Sequence, residues 1–174
     1  MSDKALDRLI RVIPDWPEPG VMFQDLTGVL ADGEGLAEIG RDLAEAFADC
    51  EIDVVAGMEA RGFIIGTSVA RELGVGFIAV RKAGKLPGPV HSEAYELEYG
   101  KAELQVHQQD VRPGARVLII DDVLATGGTA LATAQLIERG GAQVVGLGFV
   151  LELDFLKGAA RLGGYRVHSL RHVG

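Results

Sequence analysis

The chain has 174 residues, a single cysteine, 48% hydrophobic and 6% aromatic residues, and a formal net charge of −8. That length suits one domain burying about 70% of its unfolded surface, the aliphatic composition excludes a disordered chain, and the acidity argues against nonspecific nucleic-acid binding. Cys50 alone permits no intrachain disulfide, which suits a reducing, cytoplasmic setting, and neither a secretion signal nor a membrane-length apolar run is expected.

Leu6, Leu9, Ile10 and Ile13 recur at helical spacing, predicting an amphipathic helix over Asp3–Val12 that stops at Pro14. Pro14 to Thr27 carries three prolines and predicts a fixed, extended loop. Its Trp16 and Phe23 are expected to plug the core, where large aromatics usually lie. Leu36, Ile39, Leu43 and Phe47 predict a helix covering a sheet, with Cys50 a small buried group at its end. Ile52–Ala56 reads as a buried strand. The turn Gly57-Met58-Glu59-Ala60-Arg61-Gly62 then opens a helix to Arg71, and such a strand, turn and helix start make an anion pocket. Arg61 stands where a cation is disfavoured by ~0.3–1 kcal/mol, a cost that a bound polyanion would offset.

Val75–Val80 predicts the next strand, running into Arg81-Lys82-Ala83-Gly84-Lys85-Leu86-Pro87-Gly88, a basic loop that reads equally as solvated surface. His91 to Gly100 holds three glutamates and two tyrosines ahead of an alternating strand, Lys101–Val106. A lone histidine such as His91 is most often an ordinary surface residue.

Arg116 to Thr129, RVLIIDDVLATGGT, carries the strongest signal. Val117–Ile120 suits a strand buried on both faces of a parallel sheet. Asp121 and Asp122 are expected to end it, Ala125-Thr126-Gly127-Gly128-Thr129 forms a loop of small and hydroxylated residues, and a helix follows over Ala130–Arg139. Strand, acid pair, glycine loop and helix in this order aim backbone N–H groups at a phosphate. The loop lacks the Lys-Ser/Thr of a nucleoside-triphosphate loop, and Gly146 and Gly148 fall inside a strand without the third glycine of a dinucleotide fingerprint. Paired carboxylates beside a phosphate cradle suit a ribose 5-phosphate, with the acids accepting from the vicinal hydroxyls. Gln143–Glu152, Leu153–Leu162 and Tyr165–Leu170 predict a strand, a short helix and an edge strand, with no internal repeat and no His/Cys cluster at metal spacing. The expected architecture is a single α/β domain over 1–174, a mainly parallel twisted sheet flanked by helices.

DDVLATGGT resembles the phosphoribosyl-pyrophosphate (PRPP) signature of type I phosphoribosyltransferases, and IPDWPEPGVMFQDLT, RKAGKLPG and YELEYGKAEL resemble segments of the adenine phosphoribosyltransferases. The resemblance implies adenine + PRPP giving AMP + pyrophosphate, with Mg²⁺ carried mainly by PRPP and touched by Asp121 and Asp122. It implies a hood over about 1–35 and part of 153–174, where Phe23 stacks on the purine, the main chain at Met22 and Gln24 reads its edge, and Leu153 faces Phe23. Gln24 stands where the family usually has Arg or Lys. The resemblance assigns pyrophosphate to Glu59, Ala60, Arg61, Arg81, Lys82, Lys85 and His91, with Glu59–Ala60 often cis. It also implies a lid over about 84–100 that carries Tyr95, with Glu98 moving the purine proton. A homodimer is implied, with the basic loop reaching a neighbouring subunit. Two rivals share the PRPP signature: a xanthine- or guanine-specific transferase, which calls for a different hood, and a nonenzymatic PRPP sensor, for which a DNA-binding region is lacking.

Overall fold

The computed structural model describes residue 6 and residues 8–96 and 101–174, without the side chains of Glu96 and Lys101. Its organising strand is β7 (Arg116–Leu124), whose Val117, Leu118, Ile119 and Ile120 are all buried. Side chains alternate across a strand, so Val117 and Ile119 join one core cluster while Leu118 and Ile120 join another. An uninterrupted aliphatic run is stable here because helices cover both faces.

The remaining main-sheet strands are β3 (Val54–Met58), β4 (Gly76–Lys82), β5 (Val90–Glu96), β6 (Lys101–His107), β8 (Gln143–Leu153) and β9 (Val167–Val173), in the order β5-β6-β4-β3-β7-β8-β9. The run β4-β3-β7-β8-β9 is parallel, and the β5–β6 hairpin is added antiparallel at β4. Helices α1 (Thr27–Ala31), α2 (Gly33–Glu45) and α3 (Arg61–Leu73) precede β4, and α4 (Gly128–Arg139) and α5 (Gly158–Arg161) follow β7. Buried side chains of α2 and α3 pack into one cluster, with Ile39, Leu43, Ile65 and Val69, and those of α4 into the other, with Ala134, Leu136 and Ile137. The crossover from β3 through α3 to β4 moves outward in one direction, and that from β7 through α4 to β8 in the other. Parallel crossovers are right-handed, so the two helices fall on opposite faces and leave a crevice at the carboxyl ends of β3 and β7. Ligands of open α/β sheets bind at such a switch point.

Several expected boundaries move. The acid pair does not end β7: its pairing with β3 stops at Ile120, opposite Gly57, but its pairing with β8 continues to Leu124. Asp121 and Asp122 therefore sit where the strand has lost one neighbour and its flank opens into the crevice. The first helix ends earlier than expected, since Leu6, Arg8 and Leu9 are helical but Arg11–Pro14 is strand β1, paired antiparallel with β2 (Met22–Asp25). β-Branched Val12 and Ile13 and a cross-strand partner outweigh the helical spacing there. Pro14–Thr27 is thus a hairpin arm rather than a loop throughout. Leu153–Leu162 is broken by Lys157 at φ 53° into a 3-10 turn (Asp154–Leu156) and α5. Gly146 and Gly148 have a packing reason: a Cβ on Gly146 would run into the Phe47 ring, and one on Gly148 would lie 2.8 Å from Ile120 Cδ1. Cys50 is only half-buried, with Arg166 Nη1 3.4 Å from its sulfur.

Candidate active site

The loop after β7 is shaped at Gly127, which caps α4 with φ 78° and ψ −2°. A side chain disfavours that conformation, and a Cβ there would also stand 2.6 Å from the Gly158 carbonyl oxygen. Leu131 N–H donates to Gly127 C=O at 2.9 Å and the Thr133 hydroxyl to Thr129 C=O at 2.9 Å, fixing the first turn of α4. Asp121, Val123, Ala125, Thr126, Gly127, Gly128 and Thr129 line a small cavity of about 90 Å³. The Thr129 hydroxyl lies 3.4 Å from that of Tyr95, so β5 touches the loop. Farther along α4, Arg139 donates to Ser92 C=O at 2.8 Å and pairs with Glu93, so the strand lies along the helix.

The two acids have different environments. Asp122 is 6% exposed and accepts from Arg61, the first residue of α3. This pairing supplies from within the protein part of the negative charge that Arg61 wants at a helix start. Asp121 Oδ1 accepts the Asp122 N–H at 2.9 Å, yet its pKa is raised well above the ordinary carboxylate range, first by burial and then by the neighbouring Asp122 carboxylate. Asp122 is thus committed to Arg61, whereas Asp121 leans toward its proton. Gly62 allows this approach of α3 to β7, since a Cβ there would lie 2.7 Å from Asp121 Oδ1.

On the other side of Val123 a larger pocket of about 370 Å³ is lined by Met22, Phe23, Gln24, Arg61, Val123, Leu151, Leu153, Phe155 and Val173. The four expected base-site residues, Met22, Phe23, Gln24 and Leu153, thus meet in one apolar cavity. The Gln24 amide folds back toward Met22 C=O at 3.4 Å. Trp16 and Phe23 are not core plugs: Trp16 is 53% exposed and Phe23 half-buried, because the β1–β2 ribbon carries them away from the main sheet. Phe155 and Val123 went unnoticed in the sequence, where each reads as an ordinary apolar residue.

Glu59–Ala60 is cis. The Glu59 carboxylate accepts from Lys82 N–H at 3.1 Å and from Arg81 Nε at 3.3 Å, and its pKa is lowered, first by the Lys82 amide. Its side chain ties the β3 turn to the end of β4, and Arg81 is partly committed to it. Lys82 and Lys85 are exposed. His91 is opposite Val106 on β6, whereas Arg81 is opposite Gln105, two strands or roughly 10 Å away at the backbone. Glu98 lies outside the described residues; the strands on either side of it pair at Glu96 and Lys101. Glu152, Asp154 and His172 form a group with ligand-capable atoms within 4.8 Å, which linear spacing did not suggest. Their polar atoms are engaged: Ser169 donates to Glu152 at 2.8 Å, and His172 Nδ1 lies 2.8 Å from Asp154 Oδ1.

A switch-point crevice with a glycine phosphate loop, a carboxylate pair and an adjoining base-sized pocket defines a phosphoribosyltransferase. In agreement, residues 27–161 match the phosphoribosyl transferase domain. The adenine phosphoribosyltransferase of Desulfitobacterium hafniense is 53% identical over 169 residues, covering 96% of this chain and 98% of that one. The crystal structure of the Thermoanaerobacter pseudethanolicus adenine phosphoribosyltransferase has a TM-score of 0.93 at 45% identity, covering 98% and 99% of the two chains. That from Saccharomyces cerevisiae, complexed with an imino-altritol bisphosphate and adenine, has a TM-score of 0.89 at 38% identity, covering 98% and 99%. The chain belongs to the adenine phosphoribosyltransferase family.

Proposed function

We infer that this chain transfers the 5-phosphoribosyl group of PRPP to N9 of adenine, giving AMP and pyrophosphate in purine salvage. The observation that carries the reading is the meeting of two cavities at Val123, a phosphate-sized loop cradle on one side and an apolar, base-sized pocket on the other. A bond formed between their occupants would lie beside Asp121, Asp122 and Arg61.

Ala125–Thr129 would hold the 5-phosphate through backbone N–H groups at the α4 start. The acids would accept from the ribose hydroxyls and, through Asp122, place negative charge near the developing oxocarbenium. Ala60, Arg61, Arg81, Lys82, Lys85 and His91 would meet the pyrophosphate end, with Glu59 anchoring Arg81. As C1′–O breaks and C1′–N9 forms, the N9 proton must leave; Glu98 is the acceptor we assign from its position in the family segment. Phe23 and Leu153 would sandwich the base, with the Met22 and Gln24 main chain at its edge. The hood and the lid over about 84–100 would keep water from PRPP. The donor set suits Mg²⁺, a hard ion that favours carboxylates and substrate oxygens; PRPP oxygens would hold it in the main, with Asp121 and Asp122 as the carboxylates the protein would offer. When bound, Mg²⁺ would neutralise the leaving pyrophosphate.

The exposed apolar Val12, Ile13 and Ile64 support a homodimer, which solution mass measurement tests; a fully active monomer would count against it. The lone cysteine supports a cytoplasmic setting, and no helix among the described residues is long and apolar enough to cross a membrane. A panel of adenine, guanine and xanthine with PRPP and Mg²⁺ tests the reading. AMP should form fastest, and XMP or GMP formed equally well would overturn it.

A further inference from the structure

Phe23 is a poorly anchored wall for a specific pocket. It sits on a two-stranded ribbon outside the main sheet, opposite Ile13 of a strand whose residues are all exposed. Backbone pairing alone leaves its ring free to change rotamer. The loop that joins the strands offers what is missing. Asp15 at φ 56° accepts the Gly20 N–H at 2.7 Å, Val21 N–H donates to Glu18 C=O at 3.2 Å, and Trp16 N–H reaches Val21 C=O at 3.4 Å. This closed loop returns the indole of Trp16 onto the Phe23 ring, with centroids 4.5 Å apart and planes at 63°. That is the edge-on arrangement that aromatic pairs favour. Trp16 is not itself among the residues lining the pocket, yet it remains 53% exposed, so core burial does not account for its placement.

We propose that Trp16 is a positioning residue for the purine: it braces Phe23 from outside, so that the aromatic wall is set before adenine arrives. The proposal rests on the adenine-site reading above. Preorganisation of this kind affects affinity for the base, because an unbraced ring must be ordered at the moment of binding. PRPP binds at the other cavity and does not feel the change.

The test is steady-state kinetics with each substrate varied, in the wild type, Trp16→Ala and Trp16→Phe. Trp16→Ala should raise KM for adenine about three- to tenfold, the worth of one edge-on aromatic contact. Its kcat and its KM for PRPP should stay within about twofold, and Trp16→Phe should recover most of the adenine KM. An unchanged adenine KM, an equal rise in both KM values, or no recovery with phenylalanine would overturn the bracing role. Absence of AMP formation by the wild type would instead overturn the adenine reading itself.

Discussion

Replacing Gly127 by alanine tests the phosphate loop most directly, with Gly128→Ala as its control one residue away. Alanine at φ 78° is in left-handed backbone, which costs about 1–2 kcal/mol. Its Cβ would also stand 2.6 Å from the Gly158 carbonyl oxygen and 3.3 Å from Arg161 Cβ. The first of these neighbours is backbone and cannot rotate away, so the loop or α5 must shift, and the total cost is about 2–4 kcal/mol. Gly128 has no such constraint: its Cβ would meet Arg161 Nη1 at 3.6 Å and Thr126 Oγ1 at 3.9 Å, ordinary contact distances. In a chain of this length ~1 kcal/mol moves the melting midpoint by about 2–4 °C. Calorimetric melting should therefore fall by about 4–16 °C for Gly127→Ala and stay within about 2 °C of wild type for Gly128→Ala. KM for PRPP should rise about tenfold in Gly127→Ala as the N–H groups lose their aim. Equal melting of the two variants, or a wild-type KM for PRPP in Gly127→Ala, would refute the account of the loop.

Asp122→Asn removes the charge that Arg61 pairs with, and kcat/KM for PRPP should drop about ten- to a hundredfold, the worth of a hydrogen bond to a charged group; kinetics within twofold of wild type would refute a role for the pair. Glu98→Gln should lower kcat by about a hundredfold or more, as loss of a proton acceptor does, with KM for PRPP little changed; unaltered turnover would remove Glu98 from the mechanism. The His172 pKa is raised, first by its hydrogen bond to Asp154, so protonation favours the folded state. That contribution is complete below the unfolded value of about 6.5 and is lost as pH rises through the higher folded value. The melting temperature of the wild type should thus decline across that window more than that of His172→Gln, and parallel curves would refute the linkage.

Much of the site was legible because its chemistry is local. Asp121 to Thr129 names two acids, a glycine turn and a helix start within one short segment, and β7 and α4 carry them in that order, although β7 runs on past the acids to Leu124. What stayed hidden depends on neighbours distant in sequence. That the acids stand on an open flank follows from β3 stopping at Gly57 while β8 continues. That Asp122 has a cationic partner follows from Arg61, 61 residues earlier. The approach of Glu152 to His172 likewise comes from β8 and β9 lying side by side, which no linear spacing announces. Trp16 was misjudged for the same reason: large aromatics are usually buried, but a ribbon outside the main sheet offers a ring only its neighbours on that ribbon.

The division of labour between the two cavities follows from how each is supported. The phosphate loop and acids grow from β7, whose Val117–Ile120 are fully buried, so their geometry is as rigid as the core beneath them. The pocket we propose for the base borrows only Val123 and Arg61 from that region; its other walls come from the peripheral ribbon, from the ends of β8 and β9 and from Phe155 of the 3-10 turn. The shared family domain, residues 27–161, begins after Phe23 and ends before Val173, so it contains the residues we propose for PRPP but not all of those we propose for the base. Changes in the ribbon can therefore retune which base is accepted without disturbing phosphate binding. The converse does not hold, since Arg61 lines the base pocket while pairing with Asp122. A substitution at Arg61 should raise KM for both substrates, whereas one at Phe23 should raise it for adenine alone.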